Sequence, residues 1–160
     1  MKNLLLITAI FFAVINLKAQ ESMFIKGDKL VNLGIGLGYY NVAQASLDYC
    51  ISEGVAEKGS IGVGPYIGFG FNKYYSTILA GIRGTFHYPV IEKLDTYVGL
   101  GIGARYRTWK SSYWGYTSTN TNVGYGFFIG ANYPVSEKLT VFGEAGYGDS
   151  YLNVGVALKL

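Results

Sequence analysis

The stretch 88–107, YPVIEKLDTYVGLGIGARYR, alternates between two kinds of residue without a break after its turn. Side chains of a β-strand point to opposite faces with a period of two, so Val98, Leu100 and Ile102 share one face. The other face carries glycines and then Arg105 and Arg107. A helix would mix the two classes of residue on each of its faces. The pattern therefore predicts a strand with one bulky apolar face and one face that carries almost no side chain.

The same alternation recurs along the chain in segments of about ten residues that are separated by turns. We predict eight strands, at 30–40, 43–52, 60–71, 76–88, 95–107, 122–133, 139–148 and 151–160. An even number of strands in sequential order brings both ends of the mature chain to the same side of the sheet. Strands of this length and spacing are typical of membrane barrels.

The distribution of apolar and polar residues favours a barrel in a membrane over a soluble one. A soluble lipocalin-like barrel would carry an apolar inner face and a charged outer face. Here the polar face is mostly glycine and the apolar face is continuous, while Tyr and Trp collect near the strand ends, as in interfacial belts. Open sheet edges are costly in hydrocarbon, so the strands must close into a ring. The predicted fold class is all-β: an eight-stranded antiparallel up-and-down transmembrane β-barrel.

The first residues have the layout of a secretory signal peptide. Lys2 precedes an apolar stretch from Leu4 to Ile15, and Ala19-Gln20 offers a cleavage region. A membrane-spanning helix needs about twenty apolar residues, which is more than this stretch provides. We therefore predict a signal peptide at 1–19 and one outer-membrane β-barrel domain at 20–160, so the expected location is the outer membrane.

Charge and cysteine content exclude two further classes. Of 13 Lys and Arg residues, Lys2 and Lys18 belong to the leader, which leaves the rest in near balance with 10 acidic residues. A nucleic-acid partner is therefore not expected. Cys50 is the single cysteine of the sequence, so an internal disulfide is excluded.

The inward row contains charges that need partners in a narrow barrel. An eight-stranded barrel is filled by its own side chains and leaves no wide channel. Unpaired charges inside it would be costly, so we predict that the lumen holds an ion-pair network of Asp48, Arg83, Arg105 and Glu144. The alternative is that each arginine extends to a water-filled end of the barrel.

The chain resembles the small eight-stranded outer-membrane barrels, those like OmpX and the membrane domain of OmpA. Its last strand is similar to the C-terminal signal that the barrel assembly machinery reads, with Asn153, Gly155, Leu158 and Leu160 at the matching positions. It departs from that signal in ending on Leu160 instead of an aromatic residue. The resemblance implies the assembly machinery and outer-membrane lipids as partners.

Candidate catalytic or metal-binding groups are scarce. Barrels with lipid-modifying activity need a nucleophile, a base and an orienting carboxylate near the outer leaflet. His87 is the single histidine, and the predicted topology puts it at the periplasmic end. One His and one Cys on different strands are too few ligands for a metal. We therefore predict no enzyme activity, no metal and no cofactor.

The longest predicted connection, 108–121, is rich in aromatic residues. It contains Trp109, Tyr113, Trp114 and Tyr116 among Ser, Thr and Gly. These rings would either contact an extracellular ligand or anchor the barrel on lipid headgroups, and anchoring is the favoured interpretation. The predicted function is a structural or surface-interaction role without catalysis. A narrow solute or ion pore and a soluble periplasmic ligand-binding barrel are the alternatives.

Overall fold

The computed structural model describes residues 23–110 and 117–160. These residues form eight strands: β1 (Lys29–Leu37), β2 (Asn41–Val55), β3 (Gly59–Phe71), β4 (Tyr75–Ile91), β5 (Leu94–Lys110), β6 (Thr117–Pro134), β7 (Leu139–Tyr147) and β8 (Leu152–Lys159). Among them there is no helix of the length and apolarity needed to cross a bilayer.

The strands form one closed ring. Each strand pairs antiparallel with the next in sequence, and β1 pairs with β8, as in the partners Leu33 and Val156. The predicted all-β, eight-stranded up-and-down barrel is therefore confirmed. The ring leaves no unpaired edge, because the first and last strands satisfy each other's backbone groups.

The central hairpins are longer than predicted. β5 continues to Lys110 and β6 begins at Thr117, so both ends of the predicted 108–121 connection are paired strand. The prediction of a loop there was wrong at its ends. Ser, Thr and Asn at these positions interrupt the alternation of apolar and polar residues, although the hydrogen bonds between the two strand backbones continue. Residues 111–116 lie outside the described residues.

The two faces of the strands separate as the alternation predicts. Leu100 and Val123 are 69% and 74% exposed on the outer surface, whereas Asp48 and Arg83 are 2% and 6% exposed inside. Tyr151 departs from its predicted inward position and is exposed. It precedes β8, and the period of two does not apply in a turn.

One end of the barrel is covered by a plug segment, defined as residues 23–28. Phe24 is fully buried against Leu30 and Cys50. The backbone of Gly27 donates to the Cys50 carbonyl, and the Cys50 backbone donates to the Asp28 carbonyl. The Lys159 ammonium lies 2.6 Å from the Asp28 carboxylate. We call this the closed end, and the end that holds the β1–β2, β3–β4 and β7–β8 turns the open end.

Close backbone approach explains Gly64 on β3. A Cβ at this position would overlap the carbonyl oxygen of Leu47 on the neighbouring strand β2. Gly143 on β7 differs, since a Cβ there would meet no heavy atom within 4 Å. Only the first of these glycines is required by packing.

We therefore expect Gly64→Ala to destabilise the barrel by about 1–3 kcal/mol, the usual cost of overpacking. Gly143→Ala is the matched control and should leave stability nearly unchanged. The measurement is the urea midpoint of the refolded barrel. Equal midpoints for the two variants would contradict the close approach at Gly64.

Candidate functional site

The centre of the lumen is organised around Arg83 on β4. Its Nη2 lies 2.6 Å from Oε1 of Glu144 on β7, and its Nε lies 3.3 Å from Oδ1 of Asp48 on β2. The second contact is an ion pair without hydrogen-bond geometry. The guanidinium also lies 4.4 Å from the ring centre of Phe128 on β6. Four strands thus contribute side chains to one buried charge cluster.

Neutral side chains hold the two carboxylates in place. Asn32 donates to Asp48 Oδ2 at 2.9 Å. Tyr97 donates to Glu144 Oε1 at 3.0 Å, and Asn153 donates to Glu144 Oε2 at 2.8 Å. All of these groups are buried. Hydrogen bonds to the charged form stabilise carboxylates that have lost their water.

Arg105 does not join this cluster. Its Nε donates to Oδ1 of Asp149 at 3.0 Å, and its Nη2 contacts the same oxygen. The predicted grouping of Arg105 with Glu144 is therefore corrected. Asp149 lies in the turn between β7 and β8 at the open end. The pairing was missed because strand periodicity does not assign a direction to turn residues.

A second buried polar cluster surrounds His87 near the closed end. Its Nδ1 lies 2.7 Å from Asp95 Oδ2, and its Nε2 lies 3.1 Å from Thr85 Oγ1. Asn132 donates to the same Asp95 oxygen at 3.0 Å. The predicted turn at 89–94 ends just before Asp95, so sequence reasoning did not connect it to His87. The signal that could have found it is the inward parity of both residues on paired strands.

This carboxylate, imidazole and hydroxyl chain is sealed from solvent. His87 is 0% exposed. The Phe24 ring of the plug segment lies 4.4 Å from the imidazole on one side, and the Tyr97 ring lies 4.9 Å from it on another. A reacting group needs access to substrate. The arrangement therefore acts as a hydrogen-bonded layer that fills the lumen.

The aromatic residues predicted for surface contact fall in two categories. Trp109 lies in β5 and its ring packs 4.9 Å from that of Tyr75 on β4. Tyr113, Trp114 and Tyr116 lie outside the described residues. Elsewhere at the open end the rings of Tyr39 and Tyr151 are 5.3 Å apart. A hydrogen bond with Tyr39 raises the pKa of Tyr151 to about 12.

The residues of the predicted assembly signal lie on both faces of β8 and, for Leu160, directly after it. Asn153 is buried on the inner face with Glu144, and a Cβ at Gly155 would overlap the Leu33 carbonyl oxygen. Leu158 and Leu160 are exposed on the outer surface. Within the ranges 23–110 and 117–160, no three His, Cys, Asp or Glu side chains meet to hold a metal ion.

Comparison with solved structures identifies the fold. The N-terminal barrel domain of Pseudomonas aeruginosa OprF superimposes with a TM-score of 0.67 at 12% identity, covering 84% of this chain and 98% of that one. A de novo designed transmembrane β-barrel gives 0.59 at 20% identity, covering 84% and 97%. Yersinia pestis Ail in a phospholipid nanodisc gives 0.54 at 10% identity, covering 84% and 100%.

The chain has the fold of the small eight-stranded outer-membrane β-barrels. No protein-family model and no curated protein sequence matches it. The likeness therefore lies in the barrel architecture, and the lumen clusters are features of this chain's own residues.

The central cluster of this barrel makes a specific energetic prediction. Arg83 and Glu144 should couple by roughly 0.5–3 kcal/mol in a double-mutant cycle, because their charges are buried in contact. Arg83→Met and Glu144→Gln alone should each cost about 3–5 kcal/mol, since each leaves a buried partner unpaired. Unfolding in urea measures all four corners of the cycle.

The matched control is the cycle between Arg105→Met and Glu144→Gln. Arg105 pairs with Asp149 instead, so this coupling should be close to zero. Coupling of equal size in both cycles would show that the lumen charges interact as one diffuse field and would contradict the separate clusters.

The plug segment makes a second prediction. Cys50 is 0% exposed and its Sγ lies 3.7 Å from the Phe24 carbonyl oxygen. Phe24→Ala should open the closed end and increase the rate at which a small water-soluble maleimide modifies Cys50. Ile25→Ala is the control, because Ile25 is already 48% exposed. Unchanged labelling in Phe24→Ala would mean that Phe24 does not seal this end.

Proposed function

We propose that the protein is an integral barrel of the outer membrane, with a structural or surface-interaction role and no catalytic activity. The proposal places the closed end in the periplasm and the open end at the cell surface. It also includes export by the signal peptide at 1–19, recognition of Asn153, Gly155, Leu158 and Leu160 by the barrel assembly machinery, and a lipid environment.

The apolar outer surface is the observation that carries this proposal. Large side chains stand exposed all around the barrel, among them Ile82 at 65%, Tyr125 at 72% and Ile129 at 61%. Soluble monomers rarely expose a continuous apolar surface of this kind, and a bilayer would cover it. A soluble periplasmic barrel is disfavoured for the same reason.

The contents of the lumen favour this role over that of a pore. The Arg83 cluster crosses the middle of the barrel, and the Phe24 and His87 layer lies beneath it. These side chains are buried and bonded to one another, so an open water column would require several ion pairs to break. A pore remains the second candidate, and steady conductance in planar bilayers at neutral pH would favour it.

The outer face provides a direct test of the membrane environment. Leu100→Arg should cost about 2–4 kcal/mol when the barrel is folded in lipid, because the charge would lie near the bilayer midplane. Gly101→Ser is the matched control on the neighbouring inward position. A Cβ there would lie 3.7 Å from the Tyr66 ring, an ordinary contact, so the cost should be small.

The measurements are urea unfolding in phosphatidylcholine vesicles and fractionation of cells. The folded protein should sediment with membranes and migrate differently on detergent gels before and after boiling. Recovery as a folded monomer in the aqueous fraction, or equal costs for the two substitutions, would refute the proposal.

A further inference from the structure

Arg107 on β5 differs from the other two arginines that face the lumen. Arg83 contacts two carboxylates and Arg105 contacts one. No acidic side chain of the described residues forms an ion pair with Arg107, and its Nε is held by Thr77 Oγ1 at a long 3.4 Å. Its two Nη groups therefore carry donors that no described carboxylate uses.

Aromatic rings hold this guanidinium in place without neutralising its charge. The centre of the Arg107 guanidinium lies 4.5 Å from the Tyr75 ring centre, and 5.8 Å from each of the Tyr40 and Trp109 ring centres. Tyr40 and Tyr75 contact each other at 5.8 Å, edge to face. A guanidinium stacked among rings stays positive and can still offer N–H donors at its edge.

The Tyr40 hydroxyl is a second unused donor at the same place. Tyr40 is 6% exposed, and its hydroxyl lies beside Arg107 without a hydrogen bond of acceptable geometry to any described residue. Buried hydroxyls without a partner are uncommon, because they lose their bonds to water and gain none in return. An acceptor that reached the guanidinium would also be within the range of this hydroxyl.

We propose that Arg107, Tyr40 and the rings of Tyr75 and Trp109 form a binding site at the open end for a carboxylate or phosphate group carried on a sugar. Arg107 would supply paired N–H donors to the anion, the arrangement that guanidinium groups favour. Trp109 is 42% exposed and offers a flat apolar surface to the sugar ring. This inference rests on the proposed surface-interaction role, and it assigns a chemical class to the ligand that the surface would bind.

The charge of the open end is consistent with an anionic ligand. Arg105 pairs with Asp149, whereas Arg107 pairs with no carboxylate of the described residues, so these two arginines together carry one positive charge in excess. The Arg83 cluster below has two carboxylates for one guanidinium, so an anion should stop at the mouth.

Fluorescence of Trp109 can test the site directly. The sequence has two tryptophans, so Trp114→Phe leaves Trp109 as the single reporter in the full mature chain. We expect saturable changes when the folded barrel in detergent micelles is titrated with glucuronate or glucose 6-phosphate. Glucose, which lacks the charge, should bind at least about tenfold more weakly.

Two substitutions separate recognition from stability. Arg107→Gln should weaken glucuronate binding about tenfold or more, whereas Lys73→Gln should change it little. Tyr40→Phe should also weaken binding, yet leave the urea midpoint equal or higher, because it removes a buried hydroxyl that has no hydrogen-bond partner among the described residues. Tyr40→Phe keeps the ring, so it tests the site even if Arg107→Gln fails to fold.

Equal affinity for glucose and glucuronate, or wild-type glucuronate affinity in the Tyr40→Phe barrel, would overturn the proposal. Phosphatidylcholine vesicles with and without a phosphorylated glycolipid identify the source of the ligand. If the glycolipid in the vesicles competes with glucuronate for the barrel, the ligand comes from the membrane. If the glycolipid does not compete, the ligand is a soluble sugar. Cell fractionation tests the membrane role separately, so the two proposals can fail independently.

Discussion

The narrow lumen is the constraint on which the rest of the structure depends. An eight-stranded barrel has room inside for side chains but not for an open core, so every inward position must fit its neighbours across the strands. Phe128 lies over Gly99, its register partner on β5, and Tyr97 lies over Gly130 on β6. Each large ring is thus matched by a residue without a side chain. Because glycine has no side chain, the rows of glycines leave the space in the lumen that these rings occupy.

The narrow lumen also determines how charged side chains are accommodated inside the barrel. The lumen contains some apolar side chains, such as Leu79 and Phe142, but it also holds the buried polar residues, and each of these must find a partner there. Arg83 satisfies this requirement by bridging Asp48 and Glu144, and the amides of Asn32 and Asn153 complete the carboxylate shells. A buried pair of this kind is weak evidence for added stability, but breaking it is expensive. It therefore fixes which strands face one another.

The fold could be predicted from sequence because period-two alternation is a property of each strand by itself. It gave all eight strands and the inward position of Asp48, Arg83 and Glu144. The contact of His87 with Asp95 was missed within the strands, but two other missed features lie where alternation stops. Asp149 is in a turn, and Phe24 precedes the first strand. Their contacts depend on how a short connection bends over the barrel end, which the alternation of the strands does not encode.

The two ends of the barrel differ in how their buried polar and aromatic groups are satisfied. At the closed end, Phe24 packs on His87 and the backbone of residues 23–28 bonds to β2, so apolar contact and hydrogen bonds are both satisfied within the chain. At the open end, Arg107 has aromatic rings and one long hydrogen bond to Thr77 but no carboxylate partner among the described residues, and the Tyr40 hydroxyl has no hydrogen-bond partner among them. A buried donor without a hydrogen-bond partner costs free energy, because it has lost its bonds to water. The asymmetry is therefore explained if the missing acceptor is supplied from outside the chain.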